Sequence, residues 1–170
     1  HTSWTLTEID FTDGPYLSEN TTSTTLTPSG TTGSVNITAS ASTFAATDVG
    51  RLVSFSNGRA KITGFTNDTV VAATTQDDFD NTNAVTAWKL GAFSGTTGHP
   101  SCVSFFEQRL VFAGTIAEPQ TLYFSKAGDY ENMTTGTNAD DAMVYTIASN
   151  QVNRIRYLKS QRTLIVGTTG

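Results

Sequence analysis

The chain is poor in the residues that build chemistry. Across 170 residues it holds one cysteine, two histidines and two methionines, and 15% of it is charged. A lone cysteine, Cys102, excludes an intrachain disulfide and any metal site built on several thiolates, and it reads as a small buried strand residue. His1 and His99 stand too far apart to suggest a catalytic pair, and His99 precedes Pro100 in a loop-like stretch. Serine is common, but no Gly-x-Ser-x-Gly elbow offers a nucleophile. No apolar run approaches the ~18 residues that span a bilayer, and the first residues lack the layout of a signal peptide, so no membrane association is expected. Basic residues are outnumbered, 10 against 15, giving a net charge of -5 that disfavours sequence-independent attachment to nucleic acid.

What is present favours strands. The composition is 37% hydrophobic, enough for a core, with abundant Thr, Val, Phe and Tyr, 14 glycines and no sustained 3.6-residue apolar repeat. The expected class is all-β: a small β-barrel or β-sandwich over 1–93, a linker over 94–100, and the first blade or blades of an incomplete β-propeller over 101–170. The chain begins at His1 rather than Met and stops soon after the apolar run Leu164-Ile165-Val166, so a piece of something longer is expected.

In the first module the clearest signal is Asn57-Gly58 between alternating segments, which suits a type I′ hairpin turn. Centring the turn there pairs Phe55 with Ala60 and Val53 with Ile62 on a buried face, and leaves Ser54 and Lys61 on the other. Thr66-Asn67-Asp68 marks a second turn, and Gly33–Ala39, Thr69–Ala73 and Ala84–Leu90 read as further strands. The Gly-, Ser- and Thr-rich stretch up to Pro100 then interrupts the pattern. Beyond it, Cys102–Phe106, Leu110–Gly114, Gln120–Ser125 and Met143–Ile147 read as a four-stranded meander. Val103 to Thr115 is echoed by Ile155 to Thr168, with one residue added at the turn and 53 residues between Gly114 and Gly167. That spacing is close to the ~50 residues of a propeller blade, so 101–147 is expected to be one blade and 152–170 the start of the next. The Arg154–Gly167 segment should form a hairpin packed beside the first blade, with an apolar edge able to recruit partners.

Candidate sites are few. Asp77, Asp78 and Asp80, with Asp140 and Asp141, are the carboxylate clusters, but their spacing matches no EF-hand loop and exposed polar loops explain them better than metal. No carboxylate pair stands out for glycoside hydrolysis, and Ser125-Lys126-Ala127-Gly128-Asp129 has the wrong order for a sialidase aspartate box. Arg154, Arg156, Lys159 and Arg162 form the one basic cluster. Strand alternation would set Arg154 and Arg156 opposite Ile155 and Tyr157, on a solvated face. Asn20, Asn36, Asn67 and Asn132 each open an Asn-X-Thr sequence, as chance provides in a Thr-rich chain. No catalytic, cofactor-binding or metal residue is assigned, and no enzyme is expected.

Several segments carry a family resemblance. Trp4-Thr5-Leu6, Asp10-Phe11, Asp13-Gly14-Pro15-Tyr16, Trp88 to Ser94 and Gly98-His99-Pro100 resemble stretches of the tail tubular or nozzle proteins of short-tailed podovirus-type bacteriophages and related prophages. The most specific match runs from Pro100 to Thr115. Pro119-Gln120-Thr121, Ser125, Gly128 to Asn132, Tyr145 to Ser149, Gln151-Val152-Asn153 and Ile155-Arg156 continue it, whereas 20–85 matches in style alone. The resemblance implies a virion tail protein assembled in the bacterial cytoplasm. It implies a homo-oligomeric, sixfold ring that meets other tail proteins and lets DNA pass through its channel without specific binding. It supplies no catalytic residue. An acidic chain suits a conduit that does not grip DNA. The alternative is a carbohydrate-binding or host-adhesion module using Trp4, Tyr16 and Trp88, although burial of these rings in the core is the simpler expectation.

Overall fold

A computed structural model describes residues 3–5 and 10–170. His1 and Leu6, which entered the expectations above, lie outside the described residues. The fold is all-β. It divides into two compact units, one formed by 15–100 with 115–118, the other by residues up to Gly14 with 101–114 and 119–170.

The first unit is a six-stranded antiparallel sheet curled into a half-barrel, made of β1 (Leu26–Pro28), β2 (Ser34–Ala39), β3 (Leu52–Phe55), β4 (Gly58–Asn67), β5 (Val70–Asp77) and β6 (Trp88–Leu90). Their order across the sheet is β1-β2-β5-β4-β3-β6. Alternation in β2 buries Val35, Ile37 and Ala39 and exposes the residues between them, as a strand with one wet face must. These side chains meet Leu26, Val53, Phe55, Ala60, Ile62, Val71, Ala73 and Phe79 in one core. The two outer strands are tied off. Leu26 and Val85 exchange both backbone hydrogen bonds at 2.9 and 3.0 Å, so β1 meets the segment leading into β6. Leu17 and Asn20 also donate to Leu90 and Trp88 across that seam, which removes most of a free edge that would otherwise pair with other chains. Ala84–Leu90, expected as one strand, is a strand over Trp88–Leu90 with Val85 as an isolated bridge.

The central hairpin forms with a shifted register. Ser56 and Asn57, at φ of 50° and 56°, are the two turn residues, and Gly58 is the first residue of β4, opposite Phe55. Val53 therefore pairs with Ala60 rather than Ile62. The slip is two residues, and strand side chains alternate with period two, so each side chain keeps its expected face. Val53, Phe55, Ala60 and Ile62 are buried, while Ser54 and Lys61 are not. Gly58 is needed for room: a Cβ there would lie 2.6 Å from the Asp78 carbonyl oxygen and 2.7 Å from the Phe79 ring.

Residues 94–100, expected as a linker, pack within this unit. Ser94 and Thr97 are buried, their hydroxyls 3.0 Å apart, and Thr97 Oγ1 donates to the Ala92 carbonyl at 2.7 Å. Beneath them lies a buried ion pair, Asp48 to Arg51 at 3.0 Å. Arg51 Nε donates to the Gly91 carbonyl, and Asp48 accepts from the Ala45 amide and the Thr96 hydroxyl. Burial lowers the Arg51 pKa and Asp48 opposes that shift. A pair so enclosed is tolerated because nearly every lone pair and proton is satisfied.

The second unit contains the expected meander: β7 (Cys102–Phe106), β8 (Arg109–Ala113), β9 (Thr121–Phe124) and β10 (Met143–Thr146), side by side in that order. Glu107 and Gln108 form its first turn with positive φ at both positions. A separate hairpin follows, β11 (Ile155–Ser160) and β12 (Leu164–Thr168), with the three-residue loop 161–163 that the added residue required. As expected, it packs beside the meander: Ile155 is fully buried with Cys102, Val111, Ala113, Leu122 and Phe124, and Leu158, Leu164 and Val166 close over them. Residues 10–14 belong here too. Thr12 donates to the Glu131 carbonyl, Met133 to that of Asp13, and the Phe11 and Phe112 rings meet edge to face at 5.9 Å.

The echoed sequences give equivalent hairpins but not equivalent residues. Arg109 is buried at the start of β8, whereas Arg162 is exposed in the loop. Gly114 lies beyond the end of β8, whereas Gly167 lies within β12 beneath the Tyr157 ring, which occupies the space a Cβ would need. A bulge between Ile155 and Tyr157 breaks the alternation, so Tyr157 is 56% exposed while Ile155 is buried. The expected common face of those two residues is absent, and Arg154 is half-buried with Nη2 on the Gly114 carbonyl at 3.1 Å.

Candidate functional site

The first unit carries a groove of about 410 Å³ where β3, its turn and β6 meet the loop after β5. Register explains its make-up. Phe55 pairs with Trp88 on the core face of the two strands and Ser54 with Lys89 on the other, and the groove runs along the strand ends where residues of both pairs line it. The turn adds Ser56 and Asn57, the following loop adds Asp80, Asn81 and Val85, and the segment along β6 adds Glu19. Trp88 is fixed rather than loose, its indole N–H donating to the Thr24 carbonyl at 2.9 Å. Phe55 is held against Phe79 with ring centroids 4.3 Å apart.

Polar groups around the groove are also pre-set. Asp80 Oδ2 accepts from Asn57 Nδ2 at 2.6 Å, and the Asp80 amide bonds the Ser56 carbonyl, so the turn and the loop hold each other. Asn81 accepts the Asn83 amide through Oδ1, which leaves Nδ2 without a partner among the described residues. Lys89 and Glu19 face each other at 3.9 Å, an exposed pair that contributes little to stability.

Each cluster of aspartates is occupied by partners within the chain. Asp77 pairs with Arg59 at 3.0 Å and Asp80 serves the turn. Asp140 and Asp141 face Lys126 at 3.9 and 3.3 Å. Among the described residues no group of three His, Cys, Asp or Glu side chains comes together. The Asp141 pKa is lowered, first by the Asn138 amide on Oδ2 and further by Lys126, with partial desolvation opposing.

Arg109 was not singled out by the sequence and is the most committed charge in the second unit. Its guanidinium donates to the carbonyls of Ser125 and Asp141 at 2.7 Å each and of Ala139 at 2.6 Å, closing the long β9–β10 loop over the meander. The basic cluster is dispersed: Arg154 is half-buried on Gly114, while Arg156, Lys159 and Arg162 are exposed. Three of the four Asn-X-Thr sequences have a structural use. Asn20, Asn67 and Asn132 each accept the amide of the Thr two residues on, the Asx turn that such a spacing favours. Trp4 is 89% exposed, against the expectation of burial, whereas Tyr16 and Trp88 are partly buried.

Among the described residues no helix is long and apolar enough to cross a membrane. No family model matches the chain, and no curated protein matches it.

Proposed function

We propose that the chain is a non-catalytic structural component of the tail of a short-tailed bacteriophage, part of a ring through which DNA leaves the particle. Its support is the segment from Pro100 to Thr115, where the resemblance to tail tubular proteins is most specific. That segment forms the β7–β8 hairpin, and its echo forms the β11–β12 hairpin in the same compact unit. Two further features fit a structural part. The buried charges Arg51, Asp48 and Arg109 are spent on holding loops and strand ends. The net charge of -5 suits a surface past which a polyanion slides. Mass spectrometry of density-purified particles from the phage that encodes the chain tests this. Peptides of the chain should be recovered at a constant, small copy number per particle. Their absence from particles, with abundance in infected cells, would overturn the reading.

A further inference from the structure

We infer that the groove between the β3–β4 turn and β6 is a binding site for a neutral saccharide, a single pyranose or the end of a longer glycan. Its volume of about 410 Å³ lies in the roughly 300–1,000 Å³ range of small-molecule sites. Two classes of group line it, and a pyranose needs both. A sugar ring presents apolar C–H bonds on its faces and hydroxyls around its edge. Val85 and Trp88, both partly exposed, supply the apolar part over the buried Phe55, and Trp88 is held rigid, so little freedom is lost when a ring settles against it.

The polar part matches a pair of neighbouring hydroxyls. Asp80 has given Oδ2 to Asn57, and among the described residues its Oδ1 has no partner. Asn81 has given Oδ1 to a backbone amide and keeps two N–H donors on Nδ2. Consecutive residues thus offer one acceptor and one donor, the complement of adjacent hydroxyls that each donate and accept. Lys89 is neutralised by Glu19, so with Asp80 the groove carries no surplus positive charge to attract an acidic sugar. The inference concerns the first unit alone and stands or falls separately from the tail assignment.

Amide and indole resonances of the ¹⁵N-labelled chain, titrated with methyl β-glucoside, methyl β-galactoside and N-acetylglucosamine, provide the test, with N-acetylneuraminic acid as the acidic control. Expected are saturable shifts at the Trp88 indole and around Asp80 and Asn81 for at least one neutral sugar, and weaker or no response to the acidic one. Asn81→Ala should weaken binding by about tenfold, the worth of a lost hydrogen bond in a partly enclosed site, with the spectrum unchanged outside the 81–83 turn that its Oδ1 also holds. The wild-type shift map needs no variant. An absence of saturable shifts with every neutral sugar, shifts centred elsewhere in the chain, or preference for the acidic sugar would overturn the inference.

Discussion

Gly58→Ala separates two explanations of the same glycine. If Gly58 sat in a left-handed turn position, alanine would be penalised through backbone strain. In the observed hairpin the left-handed residues are Ser56 and Asn57, and Gly58 is the first strand residue. The penalty there is steric. A new Cβ would stand 2.6 Å from the Asp78 oxygen, 2.7 Å from a Phe79 ring carbon and 2.8 Å from the Asp78 carbonyl carbon. Two of those atoms are backbone. The third belongs to a ring that is 3% exposed and packed on Phe55, so it has nowhere to turn. Overpacking of this kind costs about 1–3 kcal/mol, and the lower entropy of the unfolded alanine chain offsets about 0.4–1 kcal/mol. A net loss of about 1–2 kcal/mol should lower the melting temperature of a unit this size by roughly 5–15 °C. Differential scanning calorimetry reads this directly. The companion variant is Ser56→Asn, which places a residue tolerant of positive φ where serine is strained and should be neutral or gain up to about 1 kcal/mol. An unchanged melting temperature for Gly58→Ala, or a loss for Ser56→Asn equal to that of Gly58→Ala, would refute the observed turn.

Three further outcomes follow from the second unit. Arg109→Met should cost about 3 kcal/mol or more, because three carbonyls lose charge-assisted bonds while two of them hold the long loop. Hydrogen exchange should rise across 126–142, and unchanged protection there would contradict the role. Ile155→Ala removes a fully buried side chain and should cost about 2–5 kcal/mol, detaching the β11–β12 hairpin first in a proteolysis time course. Asp141 has a depressed folded pKa, so its contribution is present above the unfolded value and is lost only as pH falls through the folded one. The 138–141 turn should therefore persist through the range in which ordinary aspartates titrate and loosen below it. Asp141→Asn should remove that pH dependence, as followed by NMR of the Asn138 amide.

Much of the fold was legible because strand faces depend on parity alone. The hairpin register was misplaced by two residues, yet Val53, Phe55, Ala60 and Ile62 are buried as expected, since an even slip preserves faces. The meander and the later hairpin were legible from turn residues and the echoed sequence. Arg109 was not, because its partners are backbone carbonyls 16 to 32 positions away, which leave no trace in residue type. The Ile155–Tyr157 bulge was equally hidden, and the alternation argument failed at that point. The groove was partly visible: Trp88 drew attention as an aromatic, but only the pairing of β3 with β6 and the return of the loop to the turn bring Asp80 and Asn81 to it.

The central claim, a place in the wall of a phage tail, is tested most directly by cryo-electron microscopy of the intact particles that encode the chain. The account requires density in the tail ring that fits both compact units, repeated around a central channel, with the β7–β8 and β11–β12 hairpins recognisable in each copy. Tail density fully explained by other proteins, with this chain nowhere in the particle, would contradict it.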